Sequence, residues 1–225
     1  MNPLLPDPAL PRDLSALAAL QRELASRVIR EDRFPDPLRL LGGLDCAAPR
    51  RDGKTFLVAA AVVLRAEDLT PVEQVTATLP APFPYIPGFL SFRELPALLE
   101  AAGRLRHVPD LWLVDGAGIA HPRRLGLAAH FGAALDVPSI GVAKSRLMGT
   151  YQEPGWERGS ASPLWDRGEA LGWVLRSRRG VKPLFVSPGH RVSLTGSLLW
   201  TLRACGRCRL PEPTRLADRL SKTPG

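Results

Sequence analysis

An α/β fold is what this sequence predicts: a mixed sheet of three antiparallel strands followed by parallel ones, with helices on both faces. Three observations lead there. Three strand-like runs come early at close spacing, with Asp52-Gly53 between the first two, and short gaps holding such a turn pair join antiparallel neighbours. A continuous apolar run, "LWLVDG" (111–116), then has the look of a buried central strand. After it, strand and helix patterns alternate, which is how a sheet acquires a helical layer on each face.

Taken in order, "RDLSALAALQRELASRVIRED" (12–32) puts Leu17, Leu20, Leu24 and Val28 on one stripe, with Asp13 as N-cap, and predicts an amphipathic helix. Residues 39–47, 54–64 and 72–79 are the three strands of the meander. A proline-braced loop, "PYIPGF", follows, then a helix from near Ser91 to about Arg106. "SFRE" fits a capping box, with Ser91 as N-cap and Glu94 three residues later. After the 111–116 strand, residues 123–135 are expected to be helical and 138–143 to form another buried strand. Two further strands are expected at 171–177 and 183–187, then helices at 193–205 and 213–221. The whole chain, 1–225, is expected to be one domain with flexible tails at 1–10 and 220–225.

Composition narrows the class. The chain is 45% hydrophobic and 23% charged, as ordinary globular domains are. It holds no apolar run long enough to span a membrane and no signal-peptide pattern at its start. Three cysteines cannot all pair within one chain, which argues for a reducing compartment and a cytoplasmic protein. The net charge of +8 favours an anionic partner, nucleic acid above all.

The residues able to carry chemistry are few. Asp45 sits mid-strand among apolar neighbours, where a carboxylate needs a partner, a hydrogen-bond network or a metal. Asp115 ends the buried run, either as a turn residue or at the strand end where ligands collect. Glu94 is the third acid, although by sequence alone the capping box accounts for it. If the strands of Asp45 and Asp115 are neighbours, three carboxylates converge and repel. A divalent cation relieves that conflict, and a donor set of hard oxygens selects Mg2+, with Mn2+ able to substitute. A magnesium site on an arginine-rich surface outlines a phosphodiester hydrolase.

Other residues stay open between a functional and a bland reading. Lys144 follows a buried strand and could reach a phosphate. His190 lies in a Pro-Gly loop before a helix capped by Ser193. His121 precedes Pro122 at an expected helix start, with Arg123 and Arg124 at its N-terminus as an anion site. "RSRRGVK" (176–182) reads as a solvated turn. "CGRC", with Cys205 and Cys208, lacks the second pair a structural zinc needs.

At this point the segments "GLDCA", "PYIPGFLSFRE", "LVDGAGIAHPRRLGLAAHFG", "PSIGVAKSRL", "PLFVSPGHRVS" and "RLPEPTRLAD" come together. In order and spacing they resemble the endonuclease V family, which incises nucleic acid near deaminated bases. The resemblance implies a ribonuclease-H-like fold. It also implies a role in DNA repair, with the cut at the second phosphodiester 3′ to the lesion leaving a 3′-hydroxyl and a 5′-phosphate.

It further implies that Asp45 and Asp115 bind the metal and that Glu94, His190 and Lys144 complete the catalytic set. Tyr85, Ile86, Pro87 and Gly88 match the family's wedge, and Gly116, Gly118, His121, Arg123 and Lys144 are expected to meet nucleic acid. Ala117 departs from the polar residue, commonly His, found there in many members. The expected partner is DNA containing deaminated bases, with inosine-containing RNA left open, and the expected state is a monomer. Two rivals remain at this level: a related nuclease acting on nucleic-acid structure, and a binding protein without catalysis.

Overall fold

Strand β3 (Lys54–Arg65) shows how the layers arise. Its side chains alternate: Leu57, Ala59 and Ala61 join one apolar cluster, and Ala60, Val62 and Leu64 join another. Both faces are therefore covered, and both coverings are helical. The computed structural model describes residues 13–223. Within them one sheet runs in the order β2 (Arg50–Arg51), β3, β1 (Leu40–Ala47), β5 (Leu111–Asp115), β6 (Ser139–Ala143), β9 (Leu184–His190), β8 (Glu169–Leu175) and β7 (Ala161–Asp166), with β4 (Pro71–Pro80) also paired to β3. None of the described helices is long and apolar enough to cross a membrane.

The meander is as expected. β1 (Leu40–Ala47), β3 and β4 (Pro71–Pro80) pair antiparallel, and a short β2 (Arg50–Arg51) turns into β3 through Asp52 and Gly53, both at positive φ. β1 then pairs in parallel with β5 (Leu111–Asp115), and β5 with β6 (Ser139–Ala143). The parallel part stops there. β9 (Leu184–His190) runs antiparallel to β6, and β8 (Glu169–Leu175) and β7 (Ala161–Asp166) continue antiparallel outward. β7 was not expected, because Pro163 interrupts its pattern; the proline is accommodated in an edge strand.

On one face lie α2 (Leu90–Gly103) and α3 (Leu127–Leu135), with α1 (Leu14–Ala25) packed on α3. On the other lie α4 (Leu194–Ala204) and α5 (Glu212–Ser221). α1 is capped by Asp13 as expected but ends early. Residues beyond it hold the β9–α4 junction instead: Asp32 accepts hydrogen bonds from the Ser193 backbone and hydroxyl. Ser193 does cap α4.

Four further expectations are corrected. α2 begins at Leu90, with Phe89 at the N-cap and no side-chain cap bond. Ser91 and Glu94 are both buried in its first turns, so no capping box forms. α3 begins at Leu127, not Arg123. Arg124 sits at φ 58°, and extended Gly126 donates to the Gly118 carbonyl, which closes the 116–126 loop before the helix can start. The "RSRRGVK" run is not wholly solvated: Arg176 is buried, donating to the carbonyls of Gly155 and Pro154 and pairing with Glu153 at 2.7 Å. The expected tail does not begin at 220, because α5 continues through Ser221, which is buried. The tail at 1–10 and residues 224–225 lie outside the described residues. Cys205 is buried, Cys208 exposed, and both thiols are free.

Candidate metal centre

Alternation along β1 fixes where Asp45 points. Leu41, Gly43 and Asp45 share a face, and it is the face α5 covers: a Cβ at Gly43 would lie 2.2 Å from the Pro213 carbonyl oxygen. Only glycine lets the helix approach this closely. Asp115, at the end of β5, follows Leu113 and Leu111 onto the same face. Asp218, on α5, completes the set. Carboxylate oxygens of Asp45, Asp115 and Asp218 all lie within 4.8 Å of one another.

Two groups hold the cluster in place. The Ser221 hydroxyl, one turn beyond Asp218, donates to Asp45 Oδ2 at 2.5 Å. Lys144, just past β6, puts its Nζ 2.5 Å from both Asp115 Oδ2 and Asp218 Oδ1. Burial pushes the Asp45 carboxyl up to about 6, reinforced by the Asp115 charge and opposed by Ser221. Desolvation would lower Lys144, but its bonds to Asp115 and Asp218 outweigh it and raise the ammonium. Asp218 is desolvated too, yet hydrogen bonds from Lys144 and Lys222 hold it below the usual carboxylate range.

Glu94 enters from α2, on the opposite face. Burial pushes its carboxyl up to about 8, against the attraction of Arg93 and with added repulsion from Asp45 and Asp115. It feels both aspartates across the strand ends but stands outside the three-oxygen cluster. A cluster of three carboxylates without His or Cys suits a hard divalent ion, so the residues present fit magnesium or manganese.

His190 is not part of the cluster. It is the last residue of β9 rather than a loop residue, and it pairs with Ser139 at the start of β6. Asp115 pairs with Val142, three residues further along that strand, so His190 sits at the opposite end of the sheet. Its ring is enclosed there: Nε2 lies 3.0 Å from Asp136 Oδ1, and Nδ1 accepts from the Ile29 backbone at 3.2 Å. Burial lowers its proton affinity further.

Beside the cluster, on the α2–α3 side, a cavity of about 70 Å³ is lined by Tyr85, Gly88, Ser91, Ala117, His121 and Leu147. Tyr85 stands over it, 58% exposed. Ile86 does not protrude with Tyr85; it packs inward with Phe83, Phe89 and Phe92 and anchors the loop. Pro87 is exposed beside it. Arg123 braces the same loop from below, donating to the Gly88 carbonyl at 2.7 Å and to Gln21 Oε1, with its guanidinium 4.4 Å from the Phe89 ring. It is thus a strut rather than a helix-end anion site, as is Arg124, which pairs with Asp166 and Glu169. His121 is buried in the cavity wall, and desolvation with the charge of Arg123 pushes its imidazole down to about 4. Gly116 leads into the loop at φ 152°. Gly118 is buried against the Pro188 carbonyl, 1.9 Å from where a Cβ would lie, so it shapes the loop from inside.

Sequence reasoning thus brought Asp45, Asp115 and Lys144 to one place and missed Asp218 and Ser221. Their signal was present: an Asp and a Ser three residues apart, on the α5 face that also buries Thr214 and Ala217.

The family model described as Endonuclease V matches residues 22–219. An endonuclease V of Xanthomonas campestris is 55% identical over 206 residues, covering 92% of this chain and 86% of its own. The crystal structure of endonuclease V from Streptomyces avermitilis superposes with a TM-score of 0.89 at 42% identity, covering 97% of this chain and 96% of its own. That of Ciona intestinalis, in complex with a 24mer DNA containing an inosine followed by a ribo-adenosine, gives 0.80 at 25% identity, covering 93% and 96%.

Proposed function

Because this chain belongs to the endonuclease V family, we propose that it is a DNA-repair endonuclease that cuts beside deaminated bases and draws its activity from the Asp45–Asp115–Asp218 cluster. The observation that carries this reading is the convergence of those three carboxylates from β1, β5 and α5. They would hold Mg2+, or Mn2+ in its place. When bound, such an ion supplies Lewis-acid polarisation of a phosphoryl oxygen and acidifies a water.

The chain's own residues supply the rest. Ser221 fixes the Asp45 carboxylate by donating to its Oδ2. Lys144 remains an ammonium at working pH and presents a fixed positive charge to a phosphate. Glu94, facing the aspartates from α2, is raised by burial in the metal-free site and is the group proposed for proton handling. The cavity under Tyr85 receives the flipped base, and Tyr85 fills the gap it leaves in the stack; unstacking costs a few kcal/mol, and an inserted side chain offsets part of it. Cavity and aspartates are separate places, which fits a cut displaced from the lesion at the second phosphodiester 3′, leaving a 3′-hydroxyl and a 5′-phosphate. The reading keeps the enzyme monomeric and cytoplasmic, with DNA as the main substrate and inosine-containing RNA as a second one.

The test is an end-labelled duplex with one inosine, incubated with magnesium or with chelator. A single magnesium-dependent nick at the second phosphodiester is expected. Binding without any nick would replace this reading with that of a non-catalytic binding protein. Tyr85→Ala should lose discrimination between the inosine duplex and a plain one while metal affinity is unchanged. Equal loss on both duplexes would remove Tyr85 from lesion recognition.

A further inference from the structure

A second opening adjoins the cluster on the face opposite the base cavity. It is a groove of about 690 Å³, with Val58, Thr76 and Thr78 on its floor, Ser221 and Lys222 on its wall and Arg51 at its rim. The register explains the floor: Val58 pairs with Thr78 and Ala60 with Thr76, so these side chains share the face on which α5 lies. α5 ends before it covers this strip, and β4 exposes its threonines where a packed strand would carry apolar residues. The groove also begins at the metal centre, because Ser221 both lines it and donates to Asp45.

Arg51 lines its rim, with Lys54 as its cross-strand partner on the same face of the hairpin. Arg50, Arg51 and Lys54 are all exposed on the β2–β3 hairpin, and none has an acidic partner among the described residues. The tight Asp52-Gly53 turn fixes the hairpin's direction, and Arg50 donates to the Gly53 carbonyl across it. A fixed set of unpaired cations beside a hydroxyl-lined trough matches a polyanion chain, not an apolar segment.

We propose that this groove and the Arg50–Arg51–Lys54 hairpin form a second nucleic-acid contact, which grips the phosphates of the cut strand after it has crossed the aspartates. The inference rests on the nuclease reading above and adds a track for the strand on the side of the scissile phosphate away from Tyr85. Threonine hydroxyls and arginine forks address phosphate and sugar rather than base edges, so the contact is independent of sequence. It supplies affinity, and the base cavity supplies selection.

The experiment compares the parent with the triple variant Arg50→Ala, Arg51→Ala, Lys54→Ala, and with Arg51→Glu. Binding to an inosine-containing 30-nucleotide strand is measured by fluorescence anisotropy in chelator, from low to high salt. Each phosphate contact on a single strand contributes about 0.7 to the slope of log affinity against log salt. The triple variant should therefore lose about 2 from the slope and bind roughly tenfold more weakly at low salt, with an unchanged melting temperature. Arg51→Glu should weaken binding beyond a single neutralisation. An unchanged slope and affinity in both variants would overturn the proposal. Cleavage by the parent is followed on the same strand. If the parent binds with the hairpin-dependent slope but never cuts, the nuclease reading fails and the groove contact stands. If the parent cuts while the variants bind as it does, the reverse holds.

Discussion

Removing the Asp45 charge should stabilise the metal-free protein while abolishing its activity. Asp45 is 7% exposed and its carboxyl is pushed from 3.8 to about 6, chiefly by burial. The folded state therefore binds more protons than the unfolded chain between those values. The penalty is absent below about pH 4, grows as pH rises and is complete above about 6. A displacement of about two units, at about 1.4 kcal/mol each, makes ionised Asp45 cost about 3 kcal/mol at pH 7.5. Asp45→Asn removes that cost and keeps a carbonyl oxygen to accept from Ser221. At roughly 2 °C per kcal/mol for a chain of this size, the variant should melt about 6 °C above the parent in chelator. The gap should close near pH 4, magnesium should raise the parent's melting temperature more than the variant's, and the variant should not cut. Thermal melts at both pH values, with chelator and with magnesium, decide the matter. A variant that melts at or below the parent at pH 7.5 in chelator would refute the electrostatic account of the cluster.

Three further outcomes follow from the same geometry. Asp218→Asn should cost at least a hundredfold in kcat on an inosine duplex, whereas His190→Ala should stay within a few-fold at saturating metal and substrate yet lose roughly 1–3 kcal/mol of stability in urea; the opposite pattern would return His190 to the catalytic set. Gly43→Ala should push α5 outward, because the new methyl meets the Pro213 backbone at 2.2 Å. It is expected to cost roughly 1–3 kcal/mol and to weaken magnesium binding measured by calorimetry. His121, held down to about 4 by burial, binds fewer protons folded than unfolded, so stability should fall as pH drops from about 6.5 to about 4, by up to about 3 kcal/mol. Denaturant titrations of His121→Gln should show a shallower dependence over that window, and an unaltered dependence would remove His121 as its source.

Local sequence determined much of this molecule. The apolar run from Leu57 to Leu64 marked a strand, the Asp52-Gly53 pair marked a hairpin, and the apolar run into Asp115 marked a central strand with an acid at its end. Those patterns are legible because periodicity and turn chemistry act over a few residues. Asp45 was legible as well, since a carboxylate inside an apolar strand is costly without a partner.

What lay beyond reach depended on which elements meet. Asp218 and Ser221 join Asp45 only because Gly43 admits α5 against β1, a contact between residues more than 170 positions apart in the chain. His190 lost its place because β9 runs antiparallel to β6, which carries it to the far end of the sheet; a residue pattern does not state strand direction. Ser91 and Glu94 match a capping box letter for letter, yet packing of α2 on the sheet starts the helix two residues earlier and buries both. Arg123 turned from a ligand for phosphate into a strut because Gly88 and Gln21 stand within its reach. The sequence alone determined most of the elements and two of the three aspartates. The tertiary structure decided the third, because side chains remote along the chain share one site only when the packing of whole elements brings them there.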